Sequence, residues 1–462
     1  MNQASDNIHA FNPDELPLTR SEAQTPVLRL QVGETLARDG STEPGAAQPV
    51  AGGMLHPFTV RNFTLLFSGQ TVSILGDALY AVALPWLILT TGGNAQELGI
   101  VLAAYGIPRV GSMLVGGWLS DRLRPRRLML IADTVRMLLV GILAALALWG
   151  HPALWQLCAV AVPLGAFGGA FMPASMSILP ETLSNEDLQA GNGLMMSSMQ
   201  GAILVGSAFA GVVVAAFTAG AGLAIDAATF LVSAVSLALM RTAHRATPGK
   251  REEGASQEHP SASAQEQGER ISFWRYLFTS RLIQVILLMF IVIGLFSGGL
   301  IEVALPTLVH GPMHGGASSY GIILAAWGAG ALVGSLFAGM LGKQKHKGLV
   351  ILPAGLIVAA SIALLPTGGV MGAVACMLIG GIANSVITVL LFTAIQLAIP
   401  RHLMGRVMGL LMFSSFGLYP VSVALAGVLS NQFGPAILFP FGGLLLGLVM
   451  VFGMTQRALR EI

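Results

Sequence analysis

Twelve apolar stretches, separated by short polar or glycine-containing turns, dominate the chain from residue 63 onward. They lie at 63–91, 97–120, 128–149, 153–178, 193–217, 221–241, 281–309, 318–342, 349–367, 371–397, 407–430 and 435–456. Each reaches about 20 residues, which as a helix at ~1.5 Å per residue crosses about 30 Å of hydrocarbon. The runs are continuous rather than alternating, so helices are predicted and barrel strands are not. The stretches 82–96, 137–180 and 349–400 carry no charged residue.

Between the sixth and seventh stretches the pattern changes. Residues 242–279 are polar, rich in Glu, Gln, Ser and Ala, and include Pro248, Gly249 and Pro260. They read as a linker with a short amphipathic helix around Ile271 to Phe278. Residues 1–57 show no basic segment followed by an apolar one, so they read as a disordered tail rather than a secretory signal. The predicted organisation is a tail (1–57), six helices (58–241), a linker (242–279), six helices (280–456) and a short C-terminal segment (457–462).

The two sets of six repeat each other. Val82-Ala83-Leu84-Pro85 recurs as Val303-Ala304-Leu305-Pro306, and GIVLAAYG at 99–106 recurs as GIILAAWG at 321–328. At the second offset, 222 residues, nine of 21 positions match between 99–119 and 321–341, with Gly117 opposite Gly339. Two matches in the same order at nearly the same offset point to parallel repeats, each entering the membrane from the same side.

Composition narrows the function. The chain is 54% hydrophobic and 10% charged, against about 25% charged for a soluble domain. All of its 24 Lys and Arg except Arg109 and Arg136 fall in the tails, the linker or alternate turns. The positive-inside rule then places both termini in the cytosol. Cys158 and Cys376 both lie in apolar stretches and frame no disulfide or metal site. His310 and His314 share one outer turn, too few for a metal centre. No GxxxxGK[ST] loop occurs, so ATP is not the direct drive. No nucleophile and base are arranged for enzymatic catalysis, and no cofactor is expected.

Charges inside hydrocarbon cost about 3 kcal/mol each on insertion scales, so each needs a reason. Six qualify: Asp77, Arg109, Asp133, Arg136, Asp226 and Glu302. Asp77 lies about fourteen residues into the first span, and Arg109 about twelve into the second from the opposite side, which gives them similar depth. They are read as a charge pair, either static or broken by a proton or a substrate. Glu302 precedes Pro306 by four residues as Asp77 precedes Pro85 by eight, placing the carboxylates on the same face of related helices, one turn apart. The alternative for Glu302 is a residue facing the outer surface. Asp133 and Arg136, spaced i and i+3, are read as a pair near the cytosolic end, and Asp226 as a residue reaching the outer interface. Tyr80, Tyr105, Trp327, Asn384 and Gln396 are candidate cavity groups. Pro85, Pro108, Pro173 and Pro306 are candidate kinks.

Gly117-Trp118-Leu119-Ser120-Asp121-Arg122, followed by Arg126-Arg127, resembles the signature loop of the major facilitator superfamily. SGQTVSILGD at 68–77, FMPASMSILPE at 171–181, AIDAATFLVSA at 224–234 and the Pro400 to Arg406 turn extend the resemblance to its enterobactin-exporter and macrolide-efflux-like branch. The second repeat departs from it, with Gly342-Lys343 where a second signature would carry Asp. The resemblance implies an all-α membrane protein of twelve transmembrane helices in two pseudo-symmetric six-helix bundles around a cavity lined by helices 1 and 7. It implies a gating network of Gly117, Asp121, Arg122, Arg126, Arg127, Asp133, Arg136 and Arg406, with Asp121 docking near the start of helix 11. The expected function is export of a drug, macrolide or siderophore-like molecule by proton antiport. Uptake or facilitated diffusion, and lysophospholipid flipping, are the alternatives. The expected partners are the substrate, protons and the lipid bilayer. Nucleic acid is not among them, and the chain is expected to act as a monomer in the bacterial inner membrane.

Overall fold

Helix starts follow from local chemistry. Asn94 caps α2 (Ala95–Leu123) by accepting from the Glu97 amide at 3.0 Å, and Thr218 caps α6 (Ala219–Leu239) through the Ala221 amide at 3.1 Å. Each satisfies an N–H that the helix itself leaves unpaired. Pro125 opens α3 (Pro125–Trp149), where its missing N–H costs nothing. The other helices are α1 (Arg61–Thr90), α4 (Leu154–Thr182), α5 (Leu188–Ala216), α8 (Ala317–Leu341), α9 (Gly348–Leu364), α10 (Gly369–Ala398) and α12 (Leu438–Thr455). α7 runs from Arg281–Gly298 through a π turn, Gly299–Ala304, into Leu305–His310. α11 comes in two pieces, Arg401–Phe416 and Tyr419–Phe433.

The computed structural model describes residues 53–184, 186–241, 277–341, 348–399 and 401–456. The expected tail, linker with its short helix, and C-terminal segment lie outside these residues except at their edges. Among the described residues, eleven helices are long and apolar enough to cross a membrane, and α9 adds a shorter apolar stretch, Val350–Leu364. Leu114, Trp149, Trp155 and Leu444 are 62–88% exposed. Such a surface is stable only against lipid, so this is a multi-pass membrane protein.

Packing partners recur six helices apart. α2 packs on α4 as α8 does on α10, α3 on α6 as α9 on α12, and α1 on α5 as α7 on α11. Across the two groups, α2 meets α11 and α5 meets α8. The contacts repeat at residue level. Gly165 of α4 seats the Tyr105 carbonyl of α2, and Gly381 of α10 seats the Trp327 carbonyl of α8, in each case where a Cβ would collide. Tyr105 and Trp327 are matched by the 222-residue offset. Where the groups cross, a Cβ on Gly99 would lie 3.0 Å from Gly427 Cα, and one on Gly321 2.7 Å from Gly211 Cα.

These crossings sit at the far end, the end of the α1–α2 and α7–α8 turns. One apolar core there joins both groups, running from Leu84, Ala210 and Phe230 to Leu305, Tyr320 and Val423. At the near end, where α1 begins, the core is split. Phe63, Met129 and Ile178 belong to one part, and Met289, Leu352 and Leu390 to the other. Among the described residues, therefore, the two groups share one apolar core at the far end and have separate cores at the near end. At the near end, Asn62 exchanges two hydrogen bonds with the Arg241 backbone, at 2.9 and 3.0 Å, and pins the start of α1 to the end of α6.

Candidate functional site

Gly76 brings α1 and α6 together. A side chain there would strike Thr229 and Asp226, so the missing Cβ lets α6 press its polar face against the turn that carries Asp77. Arg136 of α3 reaches into this junction. Its Nη2 donates to Asp77 Oδ1 at 2.6 Å, and its Nη1 lies 3.5 Å from Asp133 Oδ1. The guanidinium carbon sits 4.0 Å from the Phe230 ring centroid and 5.6 Å from that of Phe171. The ring faces supply attraction that water would otherwise provide.

The carboxylates differ in their access to water. Asp133 is fully buried and accepts from Ser233 Oγ at 2.6 Å. Asp226 is fully buried too, and its Oδ2 has no hydrogen-bond partner among the described residues. The Asp77 side chain keeps 48% exposure. Three carboxylates thus gather about one guanidinium, and Asp77 is the exposed one of the three.

A second site lies on α7. Proline at 306 has no N–H to offer the Glu302 carbonyl four residues back, and its ring crowds that carbonyl. The helix answers with the π turn Gly299–Ala304, closed by the Leu305 amide on the Leu300 carbonyl. Glu302 lies in this turn and accepts a short hydrogen bond from the Tyr419 hydroxyl at the break in α11. Ser422 Oγ accepts from the Gly299 amide at 2.8 Å, tying the π turn to α11. Glu302 and Tyr419, with Gly298, Leu324, Trp327 and Phe416, line a cavity of about 360 Å³.

Two groups connect the sites. Arg109 stacks 5.4 Å from the Tyr105 ring centroid and lies within electrostatic reach of Tyr419, Glu302 and Asp77. Tyr80 lies within reach of Asp226 and Arg136 as well as Glu302.

Several expectations change. Asp77 pairs with Arg136 and not with Arg109, because α3 presents Arg136 directly to α1. Arg136 and Asp133 form the expected i, i+3 pair, and Arg136 also joins that pair to Asp77 in one charge cluster. Asp226 is buried against Gly76 and does not reach the interface. Arg126 donates to the Leu237 and Ala238 carbonyls at 2.7 and 2.8 Å, capping the end of α6. Arg122 and Arg127 are exposed. Gly117, Asp121, Gln396 and Arg406 lie outside the residues whose surroundings the structure describes. Asn384 lines a neighbouring apolar chamber and not the Glu302 cavity. Sequence reading passed over Gly76, Ser233, Phe230 and Tyr419. Their signals were a lone glycine beside a charge and one of only five tyrosines.

Membrane-length helices around an intramembrane ion-pair cluster and a cavity that holds Glu302 and Tyr419 define a multi-pass membrane transport protein. Residues 66–421 match the Major Facilitator Superfamily. The chain belongs to that family, whose members are transporters and not enzymes. Over 382 residues it is 26% identical to the multidrug efflux pump Tap of Mycobacterium tuberculosis, covering 80% of this chain and 87% of that protein. Over 404 residues it is 26% identical to the enterobactin exporter EntS of Citrobacter koseri, covering 84% and 91%. Among solved structures, it resembles the nucleoside transporter NupG at a TM-score of 0.65 and 12% identity, covering 85% of this chain and 98% of that one. A bacterial homologue of the iron transporter ferroportin in its inward-facing state matches at 0.63 and 15% identity, covering 85% and 98%.

Proposed function

We propose that this chain exports a small molecule, of the drug, macrolide or siderophore-like kind, from the cytoplasm in exchange for protons. The observation that carries the proposal is the Asp77–Arg136 ion pair, half open to water and backed by two further buried carboxylates. The efflux names of its relatives support the direction. In this reading twelve spans form two six-helix bundles that rock about the substrate, with α9 as the ninth span and both termini in the cytosol. The near end, which carries the basic turns, faces the cytosol, so the split core corresponds to a cavity open inward. The transporter then turns outward, and an outside proton taken up by Asp77 Oδ1 releases Arg136 Nη2 to lean on Asp133 and Asp226. Glu302 and Tyr419 form the opposing wall and hold a cationic or hydrogen-bonding part of the substrate. Proton uptake there or at Asp77 weakens that hold and releases the substrate outward. After the return inward, proton loss to the cytosol restores the site.

The test uses everted vesicles with an acid interior, a panel of cationic dyes, macrolides and siderophores, and wild-type protein beside Asp77→Asn. Substrate-triggered alkalinisation of the interior, lost in Asp77→Asn, is the expected result. Transport of full size in both Asp77→Asn and Glu302→Gln would sink the proton role. Uptake in the opposite direction, or transport of lysophospholipid alone, would replace export.

A further inference from the structure

Behind the Glu302 cavity lies a second chamber of about 250 Å³, inside the last six helices. Its walls come from α7, α8, α9, α10 and α12, and they include Leu300, Val358, Ile387 and Phe439. Ile293, Ile301, Trp327 and Met377 line both spaces, so these four side chains form the partition between them. The partition is seated at its centre. Trp327 lies against Gly380 of α10, where an added Cβ would be 3.3 Å from the indole ring. The chamber is apolar except for Trp327 and Asn384. The Asn384 side chain has no hydrogen-bond partner among the described residues, and its amide presents two donors and an acceptor.

We propose that this chamber is a binding subsite for an apolar arm of the transported molecule, entered past Trp327 from the Glu302 cavity. The arm is an aromatic or alkyl group carrying one hydroxyl or carbonyl for Asn384. An apolar cavity of about 150 Å³ accepts benzene, so this larger one takes roughly a naphthalene-sized group. A molecule held here places its polar head beside Glu302 and Tyr419. The assignment of the head to the transport site rests on the export reading above, whereas occupancy of the chamber does not.

The test separates the two. 6-Bromo-2-naphthol is neutral, bicyclic and hydroxylated, and its bromine quenches tryptophan fluorescence. It is titrated into the full chain in lipid nanodiscs, and the Trp327 contribution is isolated from that of the other tryptophans by subtracting Trp327→Phe. Saturable quenching of Trp327 is expected. Filling the chamber with Ile387→Phe should abolish it, and Asn384→Leu should weaken binding roughly two- to tenfold, the worth of one hydrogen bond. A parallel series of n-alkyltrimethylammonium ions should tighten about fourfold per methylene, as burial of each CH₂ predicts, and level off once the chamber is full. Ile387→Phe should flatten that slope and leave the shortest ion unaffected. Quenching that is unsaturable or unchanged in Ile387→Phe overturns the chamber. Should Ile387→Phe fail to fold, Val358→Phe fills the same space and is read in the same way. Saturable naphthol binding with no binding of any ammonium ion upholds the chamber and sinks the cation-holding role of Glu302.

Discussion

Replacing Gly321 by Ala tests how the far end is sealed. A Cβ there would lie 2.6 Å from the Ser207 carbonyl oxygen and 2.7 Å from Gly211 Cα. Both are backbone atoms that cannot swing aside, so α5 and α8 must part. Overpacking of this kind costs about 1–3 kcal/mol. In a conformation with the far end open the helices are apart and the methyl meets nothing, so the whole penalty falls on the closed form. A tenfold shift corresponds to about 1.4 kcal/mol, which moves the balance roughly tenfold to hundredfold toward the open form. Gly99→Ala acts alike at the α2–α11 crossing, where a Cβ would meet the Val423 carbonyl oxygen at 2.7 Å. The two crossings share no partner residue, so their effects should add. The reporter is Leu305→Cys, at a position with 0% exposure in the sealed core. It is placed in a chain whose two native cysteines, Cys158 and Cys376, are replaced. A membrane-impermeant maleimide applied from the far side should label it about tenfold faster, or more, in the double variant than in its parent. Equal rates in two folded, inserted proteins would refute the reasoning that these glycines hold the far end shut.

Three further changes have defined outcomes. Ser233→Ala removes the 2.6 Å hydrogen bond to buried Asp133. Losing a partner there costs about 1–3 kcal/mol, and an unchanged thermal midpoint in nanodiscs would show that Ser233 does not hold Asp133. Pro306→Ala restores an N–H for the Glu302 carbonyl and allows the π turn to relax into α-helix, which turns Glu302 by about 100° relative to Tyr419. Transport should fall while thermal stability holds or rises, and the yield of a disulfide between Glu302→Cys and Tyr419→Cys should drop. In the turn before α5, the Asp187 carboxylate accepts from Nδ1 of His56, which lies just before α1, at 2.8 Å and from Ser184 Oγ at 3.1 Å. These bonds, His56's first, hold the Asp187 carboxyl below its ordinary range. A lowered carboxylate pKa contributes stability in full above the unfolded value and loses it as pH falls through the folded one. Hydrogen exchange at the start of α5 should therefore be faster in His56→Ala than in wild type near neutral pH. The gap should close in acid, and a gap that widens in acid would contradict the assignment.

The repeat was legible because it lies along the chain. The 222-residue offset that pairs Tyr105 with Trp327 in sequence is matched in space, where Gly165 and Gly381, 216 residues apart, seat the two carbonyls. The charge cluster was legible only in part. Counting residues into a span gives depth, which put Arg109 level with Asp77, and Arg136, eight residues into its own span, nearer the cytosolic end. Which one meets Asp77 depends on the rotation of α2 and α3 about their axes, and α2 carries no amphipathic stripe that would set its rotation. Asp226 was misplaced for a related reason, because its burial is decided by Gly76 on another helix. A glycine directly before a membrane aspartate was the available sign of a close helix approach. The π turn was foreshadowed by Pro306 alone. Pro85, its counterpart in the repeat, sits in an unbroken α1, and the difference comes from contacts that α7 makes with Ser422 and Tyr419 of α11.

That difference bears on how a duplicated scaffold divides labour. Both halves use the same glycine-seated aromatic, Tyr105 in one and Trp327 in the other, to set the spacing of their central helices. In the first half the space beside this joint is filled by charge: Arg136 closes over Phe230 and collects three carboxylates. In the second half no guanidinium occupies the corresponding position among the described residues, and the space behind Trp327 stays apolar and open. A cavity bounded by one half that exchanges charge and one that offers apolar volume suits an amphipathic molecule better than a uniformly polar one. The same asymmetry explains why coupling and recognition need not compete for side chains. On the export reading proposed above, a proton reaching Asp77 would change the partners of Arg136 without altering the walls of the Trp327 chamber, so substrates with different apolar arms would share one proton step.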